Sequence, residues 1–407
     1  MEEIQRRKPK VLVTYIEAGM GHIVSAKAIS ETLQQKYGDE IEIIEKDICK
    51  DNKVLEKFEK YLVEDVKKSN KMPGYSNLQF IAMQMFGPQS TLKFVHSTVF
   101  SKVKKEMQDL IEQINPDLFF GTHFAPLHIA CELRNKKMHD MIVATYDPDP
   151  NVHGWWDIRG DLFLVNNGFA HEEAIEKNKF NPNTVKQVNF TTRKMIVDCN
   201  LTREELRDKY EIPRDNFTIC LADGAYATAK LKDYTNELLK SKKKMTLLVI
   251  AGKNDEVYKF FKLKQMQNKI PNNITMKVFR FVNFAHELYG ASDIFITKAG
   301  PNAIQDSLFM GTPVLVNYYA SQIEKATNKI FTGYYNCGVK ILDKIKARKR
   351  IEHWIDDPSE INQLKENCKQ FDKYQNGSEK AAEYIYRILK YHKPELFNDQ
   401  SNRETKN

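Results

Sequence analysis

At 407 residues the chain is long enough for two or three domains, and 42% hydrophobic with 29% charged residues excludes a wholly disordered protein. A formal charge of +8 suits an anionic membrane surface or an acidic substrate such as a nucleotide sugar. Nucleic acid is set aside, because no zinc-finger, RRM or KH pattern is present.

The opening MEEIQRRKPK leads only into a short apolar run at 11–16, too short for a signal-peptide core. No stretch of about eighteen apolar residues occurs, so any membrane contact is expected to be peripheral. Six cysteines without a CxxC pair fit reduced thiols in a cytosolic compartment.

Short β-branched runs alternate with longer amphipathic stretches. They predict strands over 10–15, 41–45, 117–121, 141–145, 161–165 and 184–190. A second series follows at 217–222, 245–251, 276–281, 293–297 and 313–316, with helices such as 23–35, 227–240 and 303–310 between strands. This alternation implies parallel sheets covered by helices on both faces. The two series imply two doubly wound α/β domains, 1–192 and 193–377, followed by a helix at 378–391 and a disordered polar tail at 394–407. Near the boundary, Thr202 and Glu205 form a capping box, which predicts a short helix. The segment 72–114 breaks the alternation with many apolar and aromatic residues flanked by lysines. Such helices either lie in a bilayer interface or pack on the sheet.

The first strand runs into Glu17-Ala18-Gly19-Met20-Gly21-His22. Gly19 and Gly21 permit a tight turn and close approach of a ligand to the helix start. A dinucleotide fingerprint is not expected, since Val24 stands where its third glycine would be. Glu17 falls at the carboxyl edge of a parallel strand, where a carboxylate serves as general base on an alcohol or caps the next helix; His22 either contacts substrate or caps.

In the second domain the strand at 293–297 leads into Lys298-Ala299-Gly300-Pro301-Asn302, then a helix from Ala303. Gly300 frees the backbone, Asn302 reads as N-cap, and the amides of this helix start suit a pyrophosphate. Asp306 lies about one turn in, placed to accept from ribose hydroxyls. Gln322 and Glu324 begin the next helix and are expected to face a sugar.

Several other motifs compete. Asp147-Pro148-Asp149 resembles a metal-holding DxD pair but reads better as a turn. His123 and His128 lack the glutamate of a zinc HExxH site and more plausibly orient an acceptor or pack. Trp155 and Trp156, after His153, either anchor at a lipid interface or are buried. Neither GxSxG nor a Walker A motif is present.

The run TKAGPNAIQDSLFMGTPVLVNYYASQIEKATN resembles the donor-binding signature of glycosyltransferase family 28, in its monogalactosyldiacylglycerol synthase and diacylglycerol glucosyltransferase branch. YIEAGMGHIVSAKAI resembles that family's acceptor loop, and GTHFAPLHIA, VHGWWDIRGDLFLVNN and FRFVNFAHELYGASDIFITKAG extend the match. The resemblance implies a GT-B fold, two Rossmann-like domains facing across a cleft, with 378–391 crossing back to the first. It implies an inverting, metal-independent transfer of galactose or glucose from a UDP-hexose to diacylglycerol, with no cofactor. The enzyme would be peripheral on the cytoplasmic face of the membrane, beside anionic lipids. Glu17 and His22 would be catalytic. Gly19, Gly21, His123, His153, Trp155 and Trp156 would lie on the acceptor side. Phe281, Lys298, Gly300, Pro301, Asn302, Ala303, Asp306, Gln322 and Glu324 would meet the donor. Asp306 stands where the family usually has glutamate. Alternatives with the same fold are a peptidoglycan lipid-intermediate N-acetylglucosaminyltransferase, a UDP-sugar 2-epimerase, or a non-catalytic UDP-sugar sensor.

Overall fold

The computed structural model describes residues 7–17, 20–50, 52–71, 101–136, 139–224, 227–319 and 322–397. Two compact units emerge, one running to Arg193 and resuming at Gln375, the other spanning Lys194–Tyr374.

The first unit is built from β1 (Lys10–Tyr15), α1 (Met20–Tyr37), β2 (Glu42–Asp47), α2 (Lys53–Lys71), α3 (Ser101–Ile114), β3 (Leu118–Gly121), α4 (Phe124–Asn135), β4 (Ile142–Tyr146), β5 (Leu162–Val165), α5 (Gly168–Glu176) and β6 (Val185–Gln187). All its strand pairings are parallel, in the order β2-β1-β3-β4-β5-β6. β1, β3, β4 and β5 are apolar on both faces, as strands covered by helices must be. The order reverses between β1 and β3, so the crevice beyond their carboxyl ends is a topological switch point.

The second unit has α6 (Lys194–Val197), α7 (Arg203–Lys209), β7 (Phe217–Ala222), α8 (Ala229–Leu238), β8 (Met245–Ile250), α9 (Asp255–Met266), β9 (Ile274–Phe279), α10 (Ala285–Gly290), β10 (Ile294–Lys298), α11 (Pro301–Phe309), β11 (Val314–Tyr318), α12 (Gln322–Lys329), β12 (Gly338–Lys340), α13 (Lys344–Asp356) and α14 (Ser359–Cys368). Its sheet is also parallel, ordered β12-β11-β10-β7-β8-β9, with the switch point between β7 and β10. The capping box forms as read: Thr202 accepts from Glu205 N and the Glu205 side chain accepts from Thr202 N.

The last helix, α15 (Gly377–His392), belongs to the first unit. Ala381, Ala382, Ile385 and Leu389 join Ala26, Ile29 and Leu33 of α1 in one core, and Tyr386 stacks on Tyr37 with ring centroids 4.1 Å apart.

Four expectations change. Strand β9 starts two residues before its predicted start and ends at Phe279, because its buried residues alternate as in a strand covered on one face. Strand β12, three residues long, escaped the sequence reading. Within 72–114, residues 72–100 lie outside the described residues. For 101–114, however, Met107 and Ile111 of α3 are fully buried against the sheet core, so this face packs rather than meeting lipid. Of the tail at 394–407, Pro394–Leu396 form one 3-10 turn and Phe397 packs edge-on against Tyr386, while 398–407 lie outside the described residues. No helix among the described residues is long and apolar enough to cross a membrane.

Candidate functional site

Two loop clusters occupy the two switch points. In the first unit, β1 ends and Glu17 follows it, while β3 ends at Gly121 and Thr122 follows. Thr122 ties the strand ends to α1: its N–H donates to Thr14 O at 3.2 Å and its hydroxyl to His22 O at 2.8 Å. In return His22 Nδ1 donates to the Thr122 carbonyl. That bond puts the ring hydrogen on Nδ1 and leaves Nε2 with its lone pair. Burial lowers the affinity of His22 for a second proton, outweighing the Thr122 bond, so the ring is a neutral acceptor.

His22 lies inside α1, so it does not cap that helix. Gly21 is helical too, and Gly19 lies outside the described residues. Glu17 is exposed, and its backbone N–H donates to Glu59 Oε1 at 3.2 Å.

A histidine and tryptophan cluster flanks His22. The His123 ring meets it edge-on at 4.8 Å and caps α4 by accepting from Ala125 N at 3.2 Å. His153 Nδ1 accepts from Trp155 N at 3.3 Å. Both histidines are buried and held neutral: burial, then repulsion from neighbouring imidazoles, lowers His123 well below the usual range, and burial brings His153 to about 3. Phe124 packs edge-on against His153 and Trp155. Trp156 is only 1% exposed, stacks on His153 and meets Phe163 edge-on, so it is core and not an interfacial anchor. Trp155 is half-buried.

The loop bearing these residues is pinned from α4. His128 Nδ1 lies 2.8 Å from Asp157 Oδ2 and Nε2 lies 2.7 Å from Trp155 O. Burial alone would raise the Asp157 carboxyl, but hydrogen bonds from Arg159 and His128 hold it below the usual range. Both nitrogens of His128 are thus engaged in fixing the loop. Asp147 is fully buried and accepts from Asp149 N at 2.9 Å. Burial, with the charge of Asp149 adding, pushes its carboxyl well above the usual range, and the Asp149 N–H bond holds it in the turn.

In the second unit, Asp223 and Gly224 follow β7, and Lys298, Ala299 and Gly300 lie at the end of β10. Gly224 has φ +76°, a left-handed conformation that suits glycine. The Lys298 stem lies near both loops, its Cε 3.6 Å from where a Cβ on Gly224 or on Gly300 would sit. Its ammonium bonds Glu324 Oε1 of α12 at 2.6 Å, so Glu324 is turned toward Lys298. Asn317, at the end of β11, donates to Asp223 Oδ1 at 3.4 Å, and its own buried Oδ1 has no hydrogen-bond partner among the described residues.

Helix α11 is capped by Gly300, and Asn302 is its second residue rather than its N-cap. The reason is Pro301, whose fixed φ and missing N–H suit the first helical position. Among the described residues no side chain caps this end, so the amides of Asn302 and Ala303 are its orphan donors, at the positive end of the helix dipole. Asp306 is half-buried further along α11. The backbone of Gln322 is helical, and its side chain lies outside the described residues. Phe281 stands apart: it follows β9, three strands from β10, and is 56% exposed under Lys253. Thr122, Glu59, Asp223 and Asn317 were not singled out from sequence, because no local motif marks them; strand-end position is the signal that finds Thr122, Asp223 and Asn317.

Comparison with known proteins gives this geometry a context. Residues 22–188 match the family model for monogalactosyldiacylglycerol (MGDG) synthase, and residues 227–383 match the glycosyltransferase family 28 C-terminal domain. Along both segments the chain is similar to glycosyltransferase family 28 and its MGDG synthases. Among its relatives is monogalactosyldiacylglycerol synthase 2 of Arabidopsis thaliana, 23% identical over 386 residues that cover 89% of this chain and 77% of that one. Another is the processive diacylglycerol beta-glucosyltransferase of Bacillus pumilus, 21% identical over 365 residues, covering 88% and 90%. MurG of Acinetobacter baumannii matches in structure with a TM-score of 0.60 at 12% identity, covering 94% of this chain and all of that one. The chain therefore has the GT-B fold.

Proposed function

We propose that the chain is an inverting, metal-independent hexosyltransferase that moves galactose or glucose from a UDP-hexose to diacylglycerol, working as a peripheral protein on the cytoplasmic face of an anionic membrane. The observation that carries the acceptor is the match of 22–188, the segment holding His22, His123 and His153, to the MGDG synthase model.

The chemistry needs one base and one place for the leaving charge. Glu17 removes the glycerol hydroxyl proton as that oxygen bonds to the anomeric carbon and the bond to UDP breaks. The diphosphate charge falls to the amides of Asn302 and Ala303 and to the α11 dipole, the task a metal performs in other transferases. Asp306 accepts from the ribose. A second reading makes His22 the base, favoured by its neutral tautomer with Nε2 open. Glu17→Gln separates the two: it abolishes transfer and spares UDP-hexose binding on the first reading, and leaves turnover in place on the second.

Incubation with radiolabelled UDP-galactose or UDP-glucose and dispersed diacylglycerol, in chelator, tests the whole proposal. Label should pass into the organic phase as a monohexosyl lipid. Label confined to the aqueous phase with either donor would refute it.

A further inference from the structure

The carboxyl ends of three neighbouring parallel strands each deliver one imidazole. His22 follows β1, His123 follows β3, and His153 sits in the loop after β4. Their hydrogens are not disposed alike. His22 gives Nδ1–H to the Thr122 carbonyl and keeps a lone pair on Nε2. In the other two rings the bonds run the opposite way: Nδ1 of His123 accepts from Ala125 N at 3.2 Å, and Nδ1 of His153 accepts from Trp155 N at 3.3 Å. His123 is 3% exposed and His153 7%, and burial holds both neutral. Each therefore carries its hydrogen on Nε2, the nitrogen that points away from the backbone anchoring the ring. Neither Nε2–H has an acceptor among the described residues, and the three rings share no hydrogen bond there. A buried N–H without an acceptor is costly, and two of them stand at a sheet edge of the kind where ligands bind.

The surroundings limit what these donors can hold. Phe124 stacks on His123 with centroids 4.4 Å apart and meets His153 and Trp155 edge-on at 5.9 and 5.1 Å, so the rim is aromatic. Arg159, the guanidinium of this loop, is bonded to Asp157 and not turned to an anion. A carbonyl oxygen fits the site: it has two lone pairs, no hydrogen and no full charge. The attacking hydroxyl fits poorly, because it must hand its proton to a base, and donors on that oxygen would weaken it as a nucleophile. We propose that His123 and His153 are specificity-determining residues whose Nε2–H groups hold an ester carbonyl of the acceptor lipid beside its free hydroxyl. The proposal rests on the reading in which the acceptor is diacylglycerol, and it adds that the acyl ester is recognised as well as the hydroxyl. An ether-linked lipid has no carbonyl in that place and leaves both donors unpaired.

The test compares kcat/KM for dioleoylglycerol with that for its dioleyl ether analogue, at equal mole fraction in detergent micelles with UDP-hexose. Wild type is set beside His123→Asn, His123→Gln, His153→Asn and His153→Gln. Asn keeps an oxygen to accept from Ala125 N or Trp155 N and loses the outer donor, whereas Gln sets an amide N–H near the Nε2 position. Wild type should favour the ester by about 100-fold, roughly ten-fold for each donor. Each Asn variant should lower that ratio about ten-fold, and each Gln variant should keep more of it. A merely structural role lowers turnover of both lipids together and leaves their ratio alone. A wild-type ratio near one, or Asn variants that keep the wild-type ratio, with dioleoylglycerol still glycosylated, would overturn this proposal and leave the transferase reading standing. No transfer to either lipid by wild type would instead remove that reading and this proposal with it. Should the Asn variants fail to fold, the wild-type ratio decides alone.

Discussion

The tautomer of His22 follows from a single contact, and it carries a measurable consequence. With Nδ1–H given to the Thr122 carbonyl and burial opposing a second proton, the ring stays neutral where an exposed histidine would titrate. Its ring signals in a long-range proton–nitrogen NMR spectrum should therefore titrate below the ordinary histidine midpoint, with Nδ1 carrying the hydrogen of the neutral ring. A midpoint above the ordinary value, or a hydrogen on Nε2, would contradict the geometry. The sequence showed that a histidine follows a glycine turn. It did not show which ring nitrogen is free, because the answer comes from Thr122, 100 residues away. Glu59 was illegible for the same reason: a partner 42 residues from Glu17 leaves no trace in local spacing.

At the scale of elements, one buried acid holds the second unit's flank together. Asp293, just before β10, accepts from Arg207 of α7, Lys365 of α14 and the backbone N–H of Thr218 in β7. Burial raises its carboxyl, but Lys365 and Arg207 outweigh burial and hold it below the usual range. Replacing it with Asn strands buried cations and should cost about 3 kcal/mol in a denaturant titration. The stability it contributes is present above the ordinary carboxylate value of about 4 and is lost as pH falls through the lower folded value, so the mutant should be least inferior in acid. A difference that grows toward acid would contradict the assignment. Elements were the most legible level, since β1 and β7 show their full strands as β-branched and apolar runs between polar turns. Where the reading slipped, other forces decided: Pro301 took the first helical position from Asn302, and β12 is too short to show a period.

At the scale of the whole molecule, the end of the chain completes its beginning. The apolar face of α15 fills the core beneath α1, and Gly377 enters so closely that a Cβ would sit 1.8 Å from Asn189 O. Gly377→Ala should loosen the first unit, and removal of residues 375–407 should expose it to protease while 194–374 stays resistant. Equal resistance of both units after truncation would refute this partition. The GT-B class was legible from two strand series and the family motifs, and the family comparisons agree. The residues proposed for transfer were legible only where glycine or proline marks a strand end.

The most direct test of the account is the anomeric configuration of the lipid product made from an α-linked UDP-hexose by chelator-treated enzyme, read from the proton coupling at the anomeric carbon. A β-linked hexosyl diacylglycerol is the result predicted by one displacement with base and amide-held diphosphate. An α-linked product, or transfer that stops when metal is withheld, would contradict it.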